Sequence, residues 1–261
     1  MISAVAAQNR TLPSPAKLIE RANEIGAVAH KAAEEIEKAR RCPADIVQMM
    51  HDAELFRVMQ PTKFGGFEYG WEVFIETVAA IASGDGSTGW VYSLGAVHQW
   101  LIGCFPTEAQ HEVWGKDSNA IAAGSYAPVG KAVREGDGHR IIEGRWSFAS
   151  GCDNAQWAFL GSILTTSEGP KPGFFLVPRS ELSIEDDWNT VGLAGTGSKS
   201  LLVRDVYVPP HRGYLCRPPR RQRTWWQGEW SAISATAPRS APSLPSLACA
   251  WHGAWRAEGL C

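Results

Sequence analysis

The stretch Gly144–Trp157, GRWSFASGCDNAQW, decides how this chain of 261 residues is interpreted. Trp146 and Phe148 lie two positions apart, so on a β-strand their side chains are expected to share one face. Ser150 and Gly151 follow where that strand is predicted to end, and a glycine there lets a ligand approach the backbone closely. An aromatic wall beside a hydroxyl suits a flat conjugated ligand, but packing inside a sheet would explain the same residues equally well.

This stretch belongs to a strand-rich middle part of the chain, which we place at residues 119–212. Glycine, proline and aspartate turns separate the predicted strands, and the sequence EGDGH is typical of a hairpin. Several strands at this spacing predict a small sandwich or barrel. The predicted strand segments are AIAAGSYA, KAVREGDGHRIIEGRWSFAS, AQWAFLGSILTT, PGFFLVP and KSLLVRDVYVP.

Residues 14–118 carry a helical pattern instead. Apolar residues recur at alternating spacings of four and three, which predicts one long helix. They are Leu18, Ala22, Ile25, Ala29, Ala32 and Ile36. Further predicted helices are CPADIVQMMHDAELF, WEVFIETVAAIAS, TEAQHEVW and the mostly apolar, buried STGWVYSLGAVHQWLIGCF. A helical block followed by strands predicts an α+β chain of two packed domains, preceded by a flexible N-terminus at residues 1–13.

Residues 213–261 differ in composition from everything before them. They hold six arginines, two glutamates and five tryptophans but no lysine, and no helical or strand periodicity persists. A basic, aromatic tail could bind single-stranded nucleic acid, because arginine neutralises phosphates and tryptophan stacks on bases. A disordered linker would normally avoid so many tryptophans. We favour a third interpretation, an aberrant, non-native tail of the kind that a frameshift in a GC-rich gene produces.

The overall composition excludes several classes of function. A net charge of −2 gives no general attraction to nucleic acid or anionic membranes, and no apolar run approaches the roughly 18 residues of a membrane helix. The six cysteines are scattered without CxxC pairs or zinc-type spacing, so no metal site is expected. The N-terminus has no basic region before its short apolar stretch, and we therefore predict a reduced, cytoplasmic protein.

Three further motifs fit either a ligand site or ordinary structure. In GDGSTGWVYSLGAVHQW, Ser87 or Thr88 is expected to be a helix N-cap, and His98 a hydrogen-bonded core residue. In GSYAPVG, a strand end would present backbone groups with the hydroxyls of Ser125 and Tyr126, although a plain strand-to-turn exit is the simpler interpretation. GLAGTGSKS is not a phosphate-binding P-loop, because a serine interrupts the Gly-Lys-Ser order and a strand follows. The acidic run EDD before it is expected to be solvated surface.

The ordered set of motifs, more than any single one, resembles a known family. Over about residues 14–212 it is similar to the oxygenase components of two-component flavin-dependent monooxygenases with the acyl-CoA dehydrogenase fold, which include phenol-type, indole-type and steroid-ring hydroxylases. The motifs are LFRVMQPTKFGG, GSTGWVYSLGAVHQW, EVWG, SYAPVGKA, GRWSFASGCD, WAFLGS, VGLAGTGS and VRDVYVPPHR. The resemblance implies an N-terminal helical domain, a middle β domain and a C-terminal four-helix bundle. We do not expect that bundle in this sequence, because the predicted aberrant tail occupies the place where it should start.

The resemblance also implies a chemistry. A separate NAD(P)H-dependent flavin reductase would supply reduced FMN or FAD, and its reaction with O2 would give a C4a-hydroperoxyflavin that hydroxylates a small aromatic substrate. An indole-type member would give an indigoid pigment. A homotetramer is expected only if the C-terminal bundle is present. Two alternatives stay open, an acyl-CoA dehydrogenase with bound FAD and an inactive truncated remnant.

Site residues follow from the resemblance, motif by motif. Ser150 in FASG would be the catalytic residue, a hydroxyl that stabilises the oxygenated flavin by hydrogen bonding. No residue is expected to bind a metal. The flavin-binding candidates are Ser125, Tyr126, Ala127, Trp146, Phe148 and Gly151, and the substrate-binding candidates are Trp90, Gly197 and Ser198.

Overall fold

A computed structural model describes residues 11–215, in which helices come first and strands follow. The helices are α1 (Pro15–Lys31), α2 (Ala33–Ala39), α3 (Ala44–Asp52), α4 (Trp71–Ala82), α5 (Gly86–Gly103) and α6 (Thr107–Trp114). The strands are β1 (Ala122–Glu135), β2 (Gly138–Ala149), β3 (Trp157–Thr166), β4 (Gly169–Pro178), β5 (Ser183–Glu185), β6 (Lys199–Val208) and β7 (Gly213–Leu215).

The first predicted helix is divided into α1 and α2. Ser14 caps α1, because its side-chain oxygen accepts a backbone N–H of the first turn at 3.3 Å, and Pro15 fits that turn. The buried stripe of α1 continues to Ala29, but the chain leaves helical geometry at Ala32 (φ −95°, ψ 2°). The prediction of a single helix is therefore wrong, and Ile36 is buried on the second helix.

Helix α5 packs against α4 and has ten buried residues among its 18. Its N-cap is Asp85, whose carboxylate accepts the Thr88 backbone N–H at 2.7 Å, so the predicted capping by Ser87 or Thr88 is wrong. Tyr92 bonds to Thr77 of α4, with 2.9 Å between the two hydroxyl oxygens. These contacts fix the position of a helix that supplies part of a cavity wall.

Hydrogen bonds join the strands of the described residues into one seven-stranded sheet in the order β5-β6-β2-β1-β3-β4-β7. Pairing is antiparallel except between β1 and β3, which run parallel. The predicted hairpin is confirmed, because Glu135 pairs with Gly138 across a two-residue turn in which Gly136 has φ +55°. A helical domain followed by a sheet domain confirms the predicted fold class.

Two central strands are irregular. The register of β1 shifts between Ser125 and Gly130, and that of β2 shifts between Trp146 and Ala149. The motif GSYAPVG is therefore part of β1, and the predicted strand exit is wrong. Bulges of this kind re-aim the side chains around them, which makes both segments suited to a binding site.

The described residues include the first part of the predicted aberrant tail. Its first three residues, Gly213–Leu215, form β7 and pair with β4. The rest of that segment, and residues 1–10 of the predicted flexible N-terminus, lie outside the described residues. Of the helices within residues 11–215, none has the length and apolar character needed to cross a membrane.

Candidate ligand-binding site

A cavity of about 420 Å³ lies between helix α5, the irregular segments of β1 and β2, and the loop that leads into β6. Helix α5 contributes Trp90 and Leu94 to its lining, and β1 contributes Gly124, Ser125 and Tyr126. This volume lies within the range of pockets that bind small organic molecules.

The rest of the lining comes from the end of β2, from the turn that follows it, and from residues 186–198, which we name the cavity loop. These residues are Phe148, Ser150, Trp188, Leu193, Thr196 and Ser198. Among the described residues, none of the side chains that line the cavity is charged. An aromatic and apolar lining with a few hydroxyl groups suits a flat ligand with a polar edge.

Four side chains form a continuous chain of hydrogen bonds along the cavity, which we name the hydroxyl chain. The Trp90 indole N–H donates to the Ser150 hydroxyl over 3.1 Å. The Ser150 and Ser198 hydroxyl oxygens lie 2.6 Å apart, and Ser198 lies 2.6 Å from the Thr196 hydroxyl oxygen. Thr196 in turn donates to the backbone carbonyl of Leu193 over 2.9 Å. Hydroxyl groups from two distant segments are thereby linked into one unit.

Trp146 and Phe148 do not share a face, so that prediction is wrong. The bulge in β2 places Phe148 in the left-handed backbone region (φ +64°), with its side chain 68% exposed beside the cavity. Trp146 is fully buried in the core, and its indole N–H donates to the Gly161 carbonyl. Trp146 therefore cannot form part of a ligand-facing wall.

The cavity loop is held in place by the end of α2. The Glu37 carboxylate accepts two successive backbone N–H groups, at residues 194–195, each over 3.1 Å. The Arg40 guanidinium donates to the Trp188 carbonyl over 2.8 Å and pairs with an aspartate at the start of the loop over 2.9 Å. These bonds fix the segment that presents Trp188 to the cavity.

Asp187 ties the same loop to the sheet. Its carboxylate accepts the Ser200 backbone N–H and hydroxyl, over 2.9 and 2.6 Å, and pairs with Arg145 over 2.6 Å. These contacts, the Ser200 hydroxyl first among them, hold the pKa of Asp187 below its usual value. Asp187 is therefore a structural anchor, and its predicted role as a solvated surface charge is wrong.

His98 and Tyr126 form a hydrogen-bonded pair next to the cavity. His98 Nδ1 lies 2.6 Å from the Ala122 carbonyl, which can only accept, so Nδ1 carries the hydrogen. Burial lowers the pKa of His98 to about 4 and keeps the ring neutral at pH 7. His98 Nε2 therefore accepts the Tyr126 hydroxyl hydrogen over 2.7 Å. The prediction of a hydrogen-bonded core histidine is confirmed.

Comparisons with known proteins relate this chain to a class of flavin enzymes. Residues 17–118 match the family described as acyl-CoA dehydrogenase, N-terminal domain. The FADH2-dependent resorcinol hydroxylase, oxygenase component, of Rhizobium sp. (strain MTP-10005) is 41% identical over 208 residues, which cover 77% of this chain and 51% of that protein. The crystal structure of the HsaA monooxygenase from M. tuberculosis superposes with a TM-score of 0.75 at 38% identity, covering 78% of this chain and 53% of that chain.

The chain is a homologue of flavin-dependent monooxygenase oxygenase components. A further solved structure, XiaF from Streptomyces sp. in complex with FADH2 and glycerol, has a TM-score of 0.75 at 30% identity. It covers 86% of this chain and 55% of that chain. The monooxygenase homologue described here spans about half the length of the curated relatives it matches.

Six predicted site residues of this monooxygenase homologue meet around the cavity. They are Trp90, Ser125, Tyr126, Phe148, Ser150 and Ser198. The fold brings these residues together from α5, β1, the end of β2 with the turn after it, and the cavity loop. Which of them contact a flavin and which contact a substrate stays a prediction.

The other four predicted site residues do not line the cavity. Trp146 lies in the core, and Ala127 is exposed within the irregular part of β1. Gly151 has φ +71°, and a Cβ there would lie 3.0 Å from the Val91 side chain, so packing on α5 explains this glycine. Gly197 has φ +54° and faces the backbone that follows α2. These glycines shape the walls without contacting the cavity.

Five lining residues were missed by the sequence analysis. They are Leu94, Gly124, Trp188, Leu193 and Thr196. Leu94 lies one helical turn after Trp90, so the helical period could have found it. Trp188 and Leu193 have no such signal, because their position depends on α2, which lies about 150 residues earlier in the sequence.

Proposed function

We propose that this protein is the oxygenase component of a flavin-dependent aromatic hydroxylase. It would use O2 and reduced FMN or FAD, supplied by a separate NAD(P)H-dependent reductase, to add one oxygen atom to a small aromatic substrate. The observation that carries the proposal is a cavity with aromatic side chains and a hydroxyl chain, found in a homologue of such oxygenases.

The cavity residues fit an isoalloxazine ring. Trp90, Phe148 and Trp188 offer aromatic surfaces, and the last two rings meet edge to face with centroids 5.8 Å apart. Ser125 and Ser150 offer hydroxyl groups to the polar edge of the ring. Because none of the described lining side chains is charged, the flavin phosphates would be held elsewhere. The name of the Rhizobium relative and the FADH2 in the XiaF structure support the same cofactor here.

The lining residues would have distinct tasks in the reaction. Bound reduced flavin would supply the activation of O2. Ser150 would hydrogen-bond to the polar edge of the ring, with its hydroxyl oriented by Trp90 and Ser198. Phe148 and Leu193, which are 68% and 52% exposed, would pack on the ring and exclude water from the reacting atoms.

The substrate would be a small electron-rich aromatic compound such as a phenol, an indole or a steroid ring. The lining supports this choice, since it offers aromatic faces and hydroxyls and, within the described residues, no charge to pair with an acidic or basic substrate. A phenol comes first, because the Rhizobium relative is named for resorcinol. A cytoplasmic location fits a reaction that depends on NAD(P)H.

The comparisons favour this function over acyl-CoA dehydrogenase activity, the alternative that the sequence leaves open. The relative that aligns with 77% of this chain is a hydroxylase by name. The match to the acyl-CoA dehydrogenase family covers only residues 17–118, and therefore the helical domain.

The test is turnover with purified components. The full chain is mixed in air with NADH, a flavin reductase, FAD or FMN, and resorcinol or indole, and hydroxylated product and hydrogen peroxide are both quantified. We expect product from the wild type, and about tenfold more peroxide per product from Ser150→Ala, which removes one hydrogen bond to the ring. Ser93→Ala removes a hydroxyl bonded to the Trp90 carbonyl on the surface of α5 and should keep the wild-type ratio. Recovery of all reducing equivalents as peroxide, with every substrate, would contradict the proposal.

A further inference from the structure

Only one arrangement of the hydroxyl hydrogens allows every hydrogen bond of the hydroxyl chain to form. The Trp90 indole N–H can only donate, and the Leu193 carbonyl can only accept. The three hydrogen bonds between Ser150 and that carbonyl must therefore be donated by the three hydroxyl groups of Ser150, Ser198 and Thr196. Ser150 therefore donates to Ser198, Ser198 donates to Thr196, and Thr196 donates to Leu193.

In this arrangement Ser150 has no hydrogen left for a ligand. It receives the Trp90 N–H and gives its own hydrogen to Ser198. Its oxygen retains one lone pair, so toward the cavity it can only accept. Ser150 and Ser198 are 5% and 6% exposed and Thr196 is 1% exposed. Bulk water therefore has little access to these hydroxyl groups and cannot readily change the direction of their hydrogen bonds.

We propose that Ser198 and Thr196 determine which oxidation state of a flavin the cavity prefers, because they fix Ser150 as a hydrogen-bond acceptor. This inference rests on the proposed flavin site. The reduced isoalloxazine ring carries an N–H at N5, whereas N5 of the oxidised ring is itself an acceptor. A Ser150 hydroxyl that can only accept a hydrogen bond favours the reduced ring when the N5 edge faces it.

Reversal of the hydroxyl chain would remove this preference, but it breaks a bond. For Ser150 to donate to a ligand, Ser198 must donate to Ser150 and Thr196 must donate to Ser198. The Thr196 hydroxyl then leaves the Leu193 carbonyl, which keeps the Thr196 backbone N–H at 3.1 Å and the Trp188 indole N–H at 3.3 Å. One net hydrogen bond corresponds to roughly tenfold in affinity.

The test measures both redox states with substitutions along the hydroxyl chain. Binding of FAD and of FADH2 to the full chain is measured by anaerobic ultrafiltration, and free flavin in the filtrate is quantified after reoxidation. Thr196→Val keeps the side-chain shape but removes the hydroxyl that accepts from Ser198. The hydroxyl hydrogen of Ser150 or Ser198 is then free to be donated to a ligand in the cavity. Ser198→Ala frees the Ser150 hydrogen directly, and Thr196→Ser retains the hydroxyl as the matched control. Circular dichroism establishes that each variant is folded.

We expect the wild type and Thr196→Ser to bind FADH2 about tenfold more tightly than FAD. Thr196→Val and Ser198→Ala should lose that preference, mainly through tighter binding of FAD. A full preference in both of these variants, or equal affinities in the wild type, would overturn the inference and leave the flavin site standing. A wild type that binds neither FAD nor FADH2 would overturn both the inference and the proposed flavin site.

Discussion

His98 Nε2 and Tyr126 Oη lie 2.7 Å apart, and a carbonyl on the far side of the imidazole sets the direction of their hydrogen bond. Because Ala122 takes the Nδ1 hydrogen, the neutral ring offers only an acceptor to the Tyr126 hydroxyl. The bond joins α5 to β1, two elements that line the cavity. Its integrity therefore depends on the protonation state of one buried histidine.

Acid should destabilise the fold partly through His98. The pKa of His98 is about 4 in the folded protein and 6.5 as its ordinary value, so the unfolded state takes up a proton first as the pH falls. The contribution of the neutral His98 ring to the free energy of unfolding is fully present above about pH 6.5 and is lost as the pH falls toward 4. At pH 5 the loss is about 2 kcal/mol.

Urea denaturation at pH 7 and pH 5 checks this prediction. His98→Asn should be less stable than the wild type at pH 7, because the hydrogen bond between the Tyr126 hydroxyl and Nε2 of the imidazole is removed. Between pH 7 and pH 5, however, its free energy of unfolding should fall by about 2 kcal/mol less than that of the wild type. The exposed His30→Asn serves as the control and should follow the wild type. Identical pH dependence in His98→Asn and the wild type would refute the assignment.

Trp146→Phe should weaken the fold and leave the cavity unaffected. The substitution deletes the N–H that bonds to the Gly161 carbonyl and opens a gap at a fully buried site. We expect a loss of about 2–4 kcal/mol in the free energy of unfolding, measured with urea. The dissociation constant for FADH2, measured where the variant is fully folded, should not change. Weaker FADH2 binding by the folded variant would instead give Trp146 a role at the site.

Phe148→Ala should show the opposite pattern. The side chain is 68% exposed, so its removal should change the free energy of unfolding by no more than about 0.5 kcal/mol. Removal of an aromatic contact from the bound ring should weaken FADH2 binding about tenfold. Anaerobic ultrafiltration measures the affinity, and an unchanged dissociation constant would place the ring away from β2.

Glu37→Gln should loosen the cavity loop. Each oxygen of the Glu37 carboxylate accepts one of the two backbone N–H groups at residues 194–195, so a glutamine in the same position would turn its NH2 group toward one of them. We expect a loss of about 1–2 kcal/mol in stability and faster amide exchange at these two positions. Glu35→Gln, on the exposed side of the same helix, should change neither quantity. Unaltered exchange in Glu37→Gln would show that α2 does not hold the loop.

The parts of the fold that were predicted correctly are those whose structure is determined by residues close together in the sequence. Helical and strand periodicity predicted the order of elements, and the turn residues predicted the hairpin between Glu135 and Gly138. The break at Ala32 and the cap at Asp85 were missed, since several adjacent residues could fill each role and only the surrounding packing selects one.

The site was predicted less completely, for a physical reason. Motifs identified Ser150 and Ser198, but alternation along a regular strand misplaced Trp146, because a bulge with a non-glycine residue in the left-handed region has no local marker. The contacts by which α2 holds the cavity loop could not be predicted from the sequence either. Glu37 and Gly195 are 158 positions apart, so only the folded structure shows their contact.

Amide hydrogen exchange with and without FADH2 determines whether the cavity holds a reduced flavin ring. The exchange is measured anaerobically on the full chain. We predict slower exchange at residues 124–126, 148–151 and 193–198, which surround the cavity, and no change in the turn between β3 and β4 at residues 166–169. Binding of FADH2 without protection of the three cavity segments, or with protection confined to other elements, would show that the flavin ring does not occupy this cavity.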